Sequence, residues 1–254
     1  MEAVKVPAIH GWQWIKQGFA LFRKNPLLWM VLTAIGVIGL LGIALIPVIG
    51  DPLSTLLFPV VLAGFMSGCR ALDRNEELEL AHLFAGFRQH TQQLITLGGI
   101  NLVGQLLILG VMMLTGGAAL VSIFMSNVPV SDPEVLVQAV TGAGLALLIG
   151  LVLFCILLMA MQFAPLLVIF ANAKPVPALK TSLQAFLHNV PALTVYGLLL
   201  IPFALMASLP LMLGWLVLMP VIITSMYASY NDLFPIPQES PQAVEGEVVP
   251  RDGQ

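Results

Sequence analysis

The chain has 254 residues, 59% of them hydrophobic and 9% charged, with a formal net charge of -3 and a mean hydropathy of +0.97. Soluble domains carry about 25% charged residues, so this composition excludes an ordinary soluble domain and points to a membrane protein. Without a basic excess, nucleic acid is not an expected partner, and the two cysteines suggest neither a disulfide framework nor a zinc site.

The charges are unevenly placed. None lies between Lys24 and Asp51, Asp51 and Arg70, Arg88 and Asp132, Glu134 and Lys174, or Lys180 and Asp232, gaps of 26, 18, 43, 39 and 51 residues. A spanning helix needs about 20 apolar residues. The first four gaps hold one span each and the last holds two, which predicts an all-α bundle of six transmembrane helices over residues 1–233.

In chain order, Val4 to Asn25 places Trp12, Ile15, Phe19 and Phe22 opposite Gln13, Lys16, Gln17 and Lys24, the pattern of an amphipathic helix lying in the headgroup region. Asn25-Pro26 follows as a hinge into span one, Leu27 to Ile46. Glu2 and the long polar lead do not resemble a cleaved signal, so this span is expected to remain. Pro47, Gly50, Asp51 and Pro52 form a turn before span two, Ser54 to Leu72. A second amphipathic segment starts at Glu76, Glu77 and Glu79, acidic residues suited to a first helical turn, and carries Leu80, Leu83, Phe84 and Phe87 as its stripe. Span three runs from Leu94 to Leu114. The uncharged segment that follows is too long for one crossing, so a break is expected at Gly116-Gly117. Span four takes Leu145 to Ala171. A third amphipathic segment opens at Lys174-Pro175 with Leu179, Leu183, Phe186 and Leu187 on one face, and spans five and six cover Ala192 to Leu209 and Trp215 to Tyr230. The proline-rich residues 234–254 read as a disordered tail.

The amphipathic segment and its hinge recur. Aligning Phe22, Phe87 and Phe186 puts Asn25, His90 and Asn189 in register, with Pro26 and Pro191 one residue apart. This predicts three parallel two-helix repeats, at about 8–73, 76–172 and 175–232, each introduced by an interfacial helix. The even spans agree: Gly64 falls on Ser225, Gly68 on Ser229 and Arg70 on Asn231, with Asn172 matched loosely to Arg70. Small residues four apart allow close helix approach, and we read them as ordinary packing. Asn101 and Gln105 on span three and Gln162 on span four are expected to bond to one another across the two helices.

All ten basic residues, including Lys16, Arg23, Lys24, Arg70, Arg88, Lys174 and Lys180, fall on one side of the proposed spans. Basic loops stay in the cytoplasm. Both termini are therefore expected there, with these seven side chains against lipid headgroups. Trp12, Trp14, Trp29 and Trp215 are expected as interfacial anchors. No catalytic motif is present, the four histidines have no metal-pair spacing, and no ionisable residue lies at the depth of a span, which weighs against proton-coupled transport. No cofactor is expected.

The segment GFALFRKNPLL at Gly18 to Leu28, together with six spans and repeated helix pairs, resembles small bacterial inner-membrane proteins, among them YciC-like proteins and the membrane domain fused to some glycerophosphodiester phosphodiesterases. The resemblance covers most of residues 5 to 232. It implies a bacterial cytoplasmic-membrane home and carries no catalytic residue across. The expected function is that of a non-enzymatic scaffold that engages anionic lipid, a membrane-protein partner or a second copy of itself. A channel for a small solute is the alternative, and a lipid-modifying enzyme the third reading.

Overall fold

In hydrocarbon every backbone N–H must find its acceptor within its own segment, so long apolar runs become helices. The computed structural model describes the backbone of residues 3–125, 133–209 and 212–235. Its regular elements are α1 His10–Lys24, α2 Pro26–Ala44, α3 Gly50–Asp73, a 3-10 turn Leu80–Phe84 running into the single turn α4 Ala85–Arg88, α5 Thr91–Met125, α6 Pro133–Ala171, α7 Pro175–His188, α8 Val190–Ser208 and α9 Trp215–Leu233. Asp132, Pro210 and the tail from residue 236 lie outside the described residues.

Among the described residues five segments are long and apolar enough to cross a membrane: Pro26–Ala44, Gly50–Asp73, Thr91–Gly116, Ala143–Ala171 and Val190–Ser208. The sixth expected span coincides with α9, which has 19 residues like α8. Ser225, Ser229, Asn231 and Asp232 make it more polar than the other five.

The middle hairpin corrects the expected break. α5 runs unbroken through Gly116 and Gly117 for 35 residues, and α6 for 39. At 1.5 Å per residue α5 is about 52 Å long, well beyond the ~30 Å of hydrocarbon. A helical glycine costs only about 1 kcal/mol relative to alanine, and the two helices hold each other closely elsewhere. A Cβ on Gly104 would lie 3.1 Å from Leu157, and one on Gly150 would run into Met112. The amide link expected between them is absent: Asn101, Gln105 and Gln162 are half-buried and share no hydrogen bond. Close packing at glycine makes this contact instead.

The outer hairpins turn in the same manner. Val48 (φ 70°) precedes Gly50 by two residues between α2 and α3, and Met212 (φ 67°) precedes Gly214 by two between α8 and α9. Each glycine sits where a side chain would collide with the preceding helix, Gly50 at the Ile43 and Ala44 carbonyls and Gly214 at Ala207.

Three seams organise the opposite, basic end. α1 lies against α8 and α9, the 3-10 turn and α4 lie against α3, and α7 lies against α6. Each seam rests on a close backbone approach. A Cβ on Gly18 would come 2.5 Å from the Ser225 nitrogen, one on Gly64 would strike the Leu83 carbonyl, and one on Gly86 would strike the Val60 carbonyl. At the first seam Thr224 Oγ1 also donates to the Gly18 carbonyl over 2.9 Å. At the third, the buried Ser182 hydroxyl accepts from Phe163 N–H and donates to the Met159 carbonyl, both at 2.9 Å. Those two groups are the pair that an α-helix joins to each other. Ser182→Ala is therefore expected to cost only about 1 kcal/mol, because the pair can close internally. Ser182→Leu, which forces a larger group into a fully buried position, should cost two to three times as much in thermal unfolding.

The seams are made mostly by small residues, and the bulky stripes of these segments stay largely outward. α7 buries Ala178, Ser182 and Ala185, while Leu187 is exposed and Leu179, Leu183 and Phe186 are half-buried. Around α4 only Leu83 of the expected stripe is buried, with Leu80, Phe84 and Phe87 exposed. Lipid tails are as apolar as leucine, so helix contact in a membrane favours small residues that let backbones meet. The middle segment is also not a full helix: residues 76–79 form no regular element, and Glu79, in an extended conformation, caps the 3-10 turn in a reciprocal arrangement with His82. Trp14 and Trp29 are corrected as well. Both are completely buried in the core beside Met66, Phe163 and Leu166, whereas Trp12 and Trp215 are half-buried.

Candidate membrane-surface site

The basic end gathers the loops that precede α2, α5 and α8 with the ends of α3, α6 and α9. Its parts are joined by direct bonds: Lys24 Nζ donates to the Leu72 carbonyl (2.7 Å) and to Asn75 Oδ1 (3.2 Å), tying α1 to the end of α3. Val4 N–H donates to the Leu233 carbonyl at 2.9 Å. Val6 N–H donates to Asn189 Oδ1 at 2.8 Å, and Asn189 Nδ2 returns a bond to the Val4 carbonyl at 3.1 Å. Asn189 is fully buried, so this amide clamps the N-terminal segment to the α7–α8 junction from both sides.

The other two hinges act locally. Asn25 Oδ1 accepts from Leu28 N–H at 3.3 Å and caps α2, with Pro26 as its first residue. His90 takes a left-handed φ of 57° and its Nδ1 lies 3.1 Å from Gln93 Oε1. Pro191 is the second residue of α8. The three aligned phenylalanines differ in burial, from 5% exposure at Phe22 to 43% at Phe87, with Phe186 half-buried.

Of the seven basic side chains expected at headgroups, Lys16, Arg23, Arg88, Lys174 and Lys180 are exposed. Lys16 stands over the Trp12 ring at 5.4 Å. Lys24 is engaged in the α3 contact above. Arg70 is half-buried, its guanidinium 5.1 Å from the centre of the Phe170 ring. Phe170 belongs to an aromatic cluster with Tyr227, Tyr230, Phe234 and Phe163 between the ends of α3, α6 and α9. Tyr227 donates to Asp73 at 3.2 Å.

The small residues of α3 and α9 meet other elements. Gly64 meets the Leu83 carbonyl, and a Cβ on Gly68 would run into Leu78 and lie 3.6 Å from Trp29. The Ser225 hydroxyl donates to the Val221 carbonyl and stands 2.8 Å from the Tyr196 hydroxyl. Ser229 donates to the Met226 carbonyl. Asn172 takes a left-handed φ at the end of α6, as Asn75 does just past α3, so its counterpart by helix ending is Asn75 and not Arg70.

Sequence reasoning missed the partner of α1. His10 Nδ1 and Trp14 Nε1 both reach Asp232 Oδ2 at 2.7 Å, and nothing in the spacing of residues 222 apart announces it. Two cavities were equally unforeseen. One of about 460 Å³ lies between α1, α8 and α9 and is almost wholly apolar, with Lys16 in its wall; the other, about 330 Å³, is polar and is enclosed by the end of α3, the 3-10 turn, α4 and the end of α6. Among the described residues no group of three His, Cys, Asp or Glu gathers at metal-binding distance.

No family model matches the chain, and no solved structure matches it. A probable inner membrane protein of Burkholderia thailandensis is 34% identical over 256 residues, covering 92% of this chain and 94% of that protein. With five apolar helices of spanning length and this relative along nearly its whole length, the chain belongs to the family of that inner membrane protein and is itself an integral membrane protein.

Proposed function

We propose that the chain is a non-enzymatic scaffold of the inner membrane, six spans arranged as a closed ring of three two-helix units, whose basic end faces the cytoplasm and gathers anionic lipid. The observation that carries the ring is the order of the seams: each amphipathic element packs on the even helix of the unit before it, α4 on α3, α7 on α6, and α1 on α9. In the alignment of Phe22, Phe87 and Phe186, the residues making the seams are Gly18, Leu83 and Ser182, which occupy the same position. Their partners are Ser225, Gly64 and the Met159 to Phe163 turn. With Asn172 set on Asn75, that turn is centred on the counterpart of Gly64, so the three contacts share one register. On this reading α9 is the sixth span, its polar residues facing the ring and not lipid.

The lipid-gathering role rests on the exposed cations. Arg23, Arg88, Lys174 and Lys180 stand at one end of the bundle with no ion-pair partner among the described residues, beside the outward-turned Phe19, Phe84, Phe87 and Leu187. Basic residues in short loops remain cytoplasmic, and each cation near an anionic leaflet is worth about 1 kcal/mol. The aromatic cluster between α3, α6 and α9 favours a scaffold over a conduit, because it fills the place where a path between the three units would open.

The test is enrichment of phosphatidylglycerol over phosphatidylcholine around the protein reconstituted in mixed nanodiscs. Replacing Arg23, Arg88, Lys174 and Lys180 together by Gln is expected to reduce that enrichment by at least about fivefold. Unchanged enrichment in a folded variant would remove the lipid-gathering role, and flux of ions or polyols through vesicles bearing the native protein would replace the scaffold with a channel.

A further inference from the structure

The polar cavity of about 330 Å³ is built differently from the rest of the basic end. Small-molecule sites run from about 300 to 1,000 Å³ and carry a few convergent polar groups in an otherwise shaped wall. Here the wall holds Arg70, Arg74, Glu76, His82 and Gln89, with Phe170 closing one side. We propose that this cavity binds a phosphate ester, the phosphate held by Arg70 and Arg74.

Arg70 lies in the last turn of α3 and Arg74 is its C-cap residue, whose backbone N–H donates to the Arg70 carbonyl at 3.1 Å, so the two stand one turn apart at the helix end. The helix C-terminus favours each cation by itself, and an anion between them would relieve their mutual repulsion. Among the described residues no carboxylate is within ion-pair distance of either guanidinium, and neither donates a hydrogen bond. Each therefore has five N–H donors available in a fork that matches phosphate bidentately. The Phe170 ring fixes the Arg70 plane from one side, which reduces the freedom lost when an anion binds.

The neighbouring groups extend the preference. Glu79 N–H donates to His82 Nδ1 at 2.9 Å, so the neutral imidazole keeps its proton on Nε2 and remains a donor. Gln89 adds an amide. Ser67 contributes little, because its hydroxyl already donates to the Ala63 carbonyl at 3.0 Å. Glu76 is the one carboxylate in the wall. It disfavours a second anionic centre and suits a hydroxyl or ammonium on the esterified group. A phosphate ester of a small polyol or amino alcohol meets both demands.

Such a group is found on phospholipids and on soluble metabolites. The cavity opens at the last turns of a segment of spanning length, Gly50–Asp73, where a headgroup would lie, so the inference rests on the same placement of the basic end as the scaffold reading. The experiment uses the full chain in a neutral detergent, titrated with dihexanoyl phosphatidylglycerol, with sn-glycerol 3-phosphate, and with dihexanoyl phosphatidylcholine, binding being read by calorimetry. Dihexanoyl phosphatidylglycerol is expected to bind, and Arg70→Gln and Arg74→Gln each to weaken it at least tenfold. Arg70→Lys, which keeps the charge and loses the fork, should recover only part. Equal binding of glycerol 3-phosphate, lost in the same variants, would assign the site to a soluble ester; preference for the lipid would assign it to a headgroup.

Arg74 is exposed and its side chain has no hydrogen bond or ion pair among the described residues, so Arg74→Gln decides the matter even if Arg70→Gln fails to fold. Binding of none of the three phosphate-bearing probes to the native chain, or equal binding to native and Arg74→Gln proteins, overturns the site. The variant lacking Arg23, Arg88, Lys174 and Lys180 keeps cavity binding on this account. Loss of nanodisc enrichment in that variant alone, with probes indifferent to Arg70 and Arg74, removes the cavity and leaves the scaffold. Tenfold losses at Arg70 and Arg74 with unchanged enrichment in the surface variant do the reverse.

Discussion

Trp14→Ala is expected to lower the unfolding free energy by about 3–5 kcal/mol, the range for truncating a fully buried aromatic side chain. Trp14 has no exposed surface. Its ring packs edge-on against Tyr196 with centroids 6.0 Å apart, and its Nε1 donates to Asp232 at 2.7 Å. Truncation opens a void between α1, α8 and α9 and removes one of the two side chains, with His10, that bond the Asp232 carboxylate among the described residues. Trp14→Phe separates the two losses. It keeps most of the packing and removes the N–H, so about 1–3 kcal/mol should remain, the range for a hydrogen bond to a charged group. Thermal unfolding of the detergent-solubilised protein reads both. A shift in Trp14→Ala no larger than in a Trp12→Ala control would mean that α1 lies on the membrane surface without docking on α9.

That outcome bears on what the sequence could convey. The charge gaps between Lys24 and Lys174 were enough to place the apolar helices, since a charge in hydrocarbon is costly wherever the chain goes. The hinge at Asn25-Pro26 was legible because a cap and a first-turn proline are local features. Burial was not. Periodicity marks an apolar stripe but not the residues at which backbones meet: Phe84, Phe87 and Leu187 are exposed, while Gly18, Leu83 and Ser182 make the seams. Trp14 and Trp29 were misplaced for the same reason, because an indole near a membrane boundary has the same sequence signature whether it faces headgroups or a docked helix. The break expected at Gly116-Gly117 rested on the length of one membrane crossing, yet α5 continues through it well past that length. Of the polar cavity, Arg70 was legible as a headgroup charge and Glu76 as a first-turn acid, neither as part of a pocket. Its enclosure by Arg74, His82 and Gln89 depends on the 3-10 turn folding back on α3, a tertiary contact with no local sign.

Gly18→Ala should destabilise by about 3 kcal/mol, whereas the same change at Gly39 should stabilise by up to about 1 kcal/mol. The two positions are alike by helix propensity, since both are glycines inside a helix. They differ in what the added methyl meets. At Gly39 nothing lies within 4 Å, but at Gly18 the Cβ falls 2.5 Å from the Ser225 nitrogen and 2.6 Å from its Cα. Backbone cannot rotate aside as a side chain can, so α1 and α9 must separate, taking with them the Thr224 bond to the Gly18 carbonyl. Gly64→Ala meets the Leu83 carbonyl at the next seam and should cost a similar amount, because in the ring it is the same contact made by the next unit. Folded yield and thermal midpoint in detergent measure all three variants. If Gly18→Ala behaves like Gly39→Ala while Gly64→Ala is damaging, the first and last units do not meet as the ring requires, and the units form an open row in the membrane.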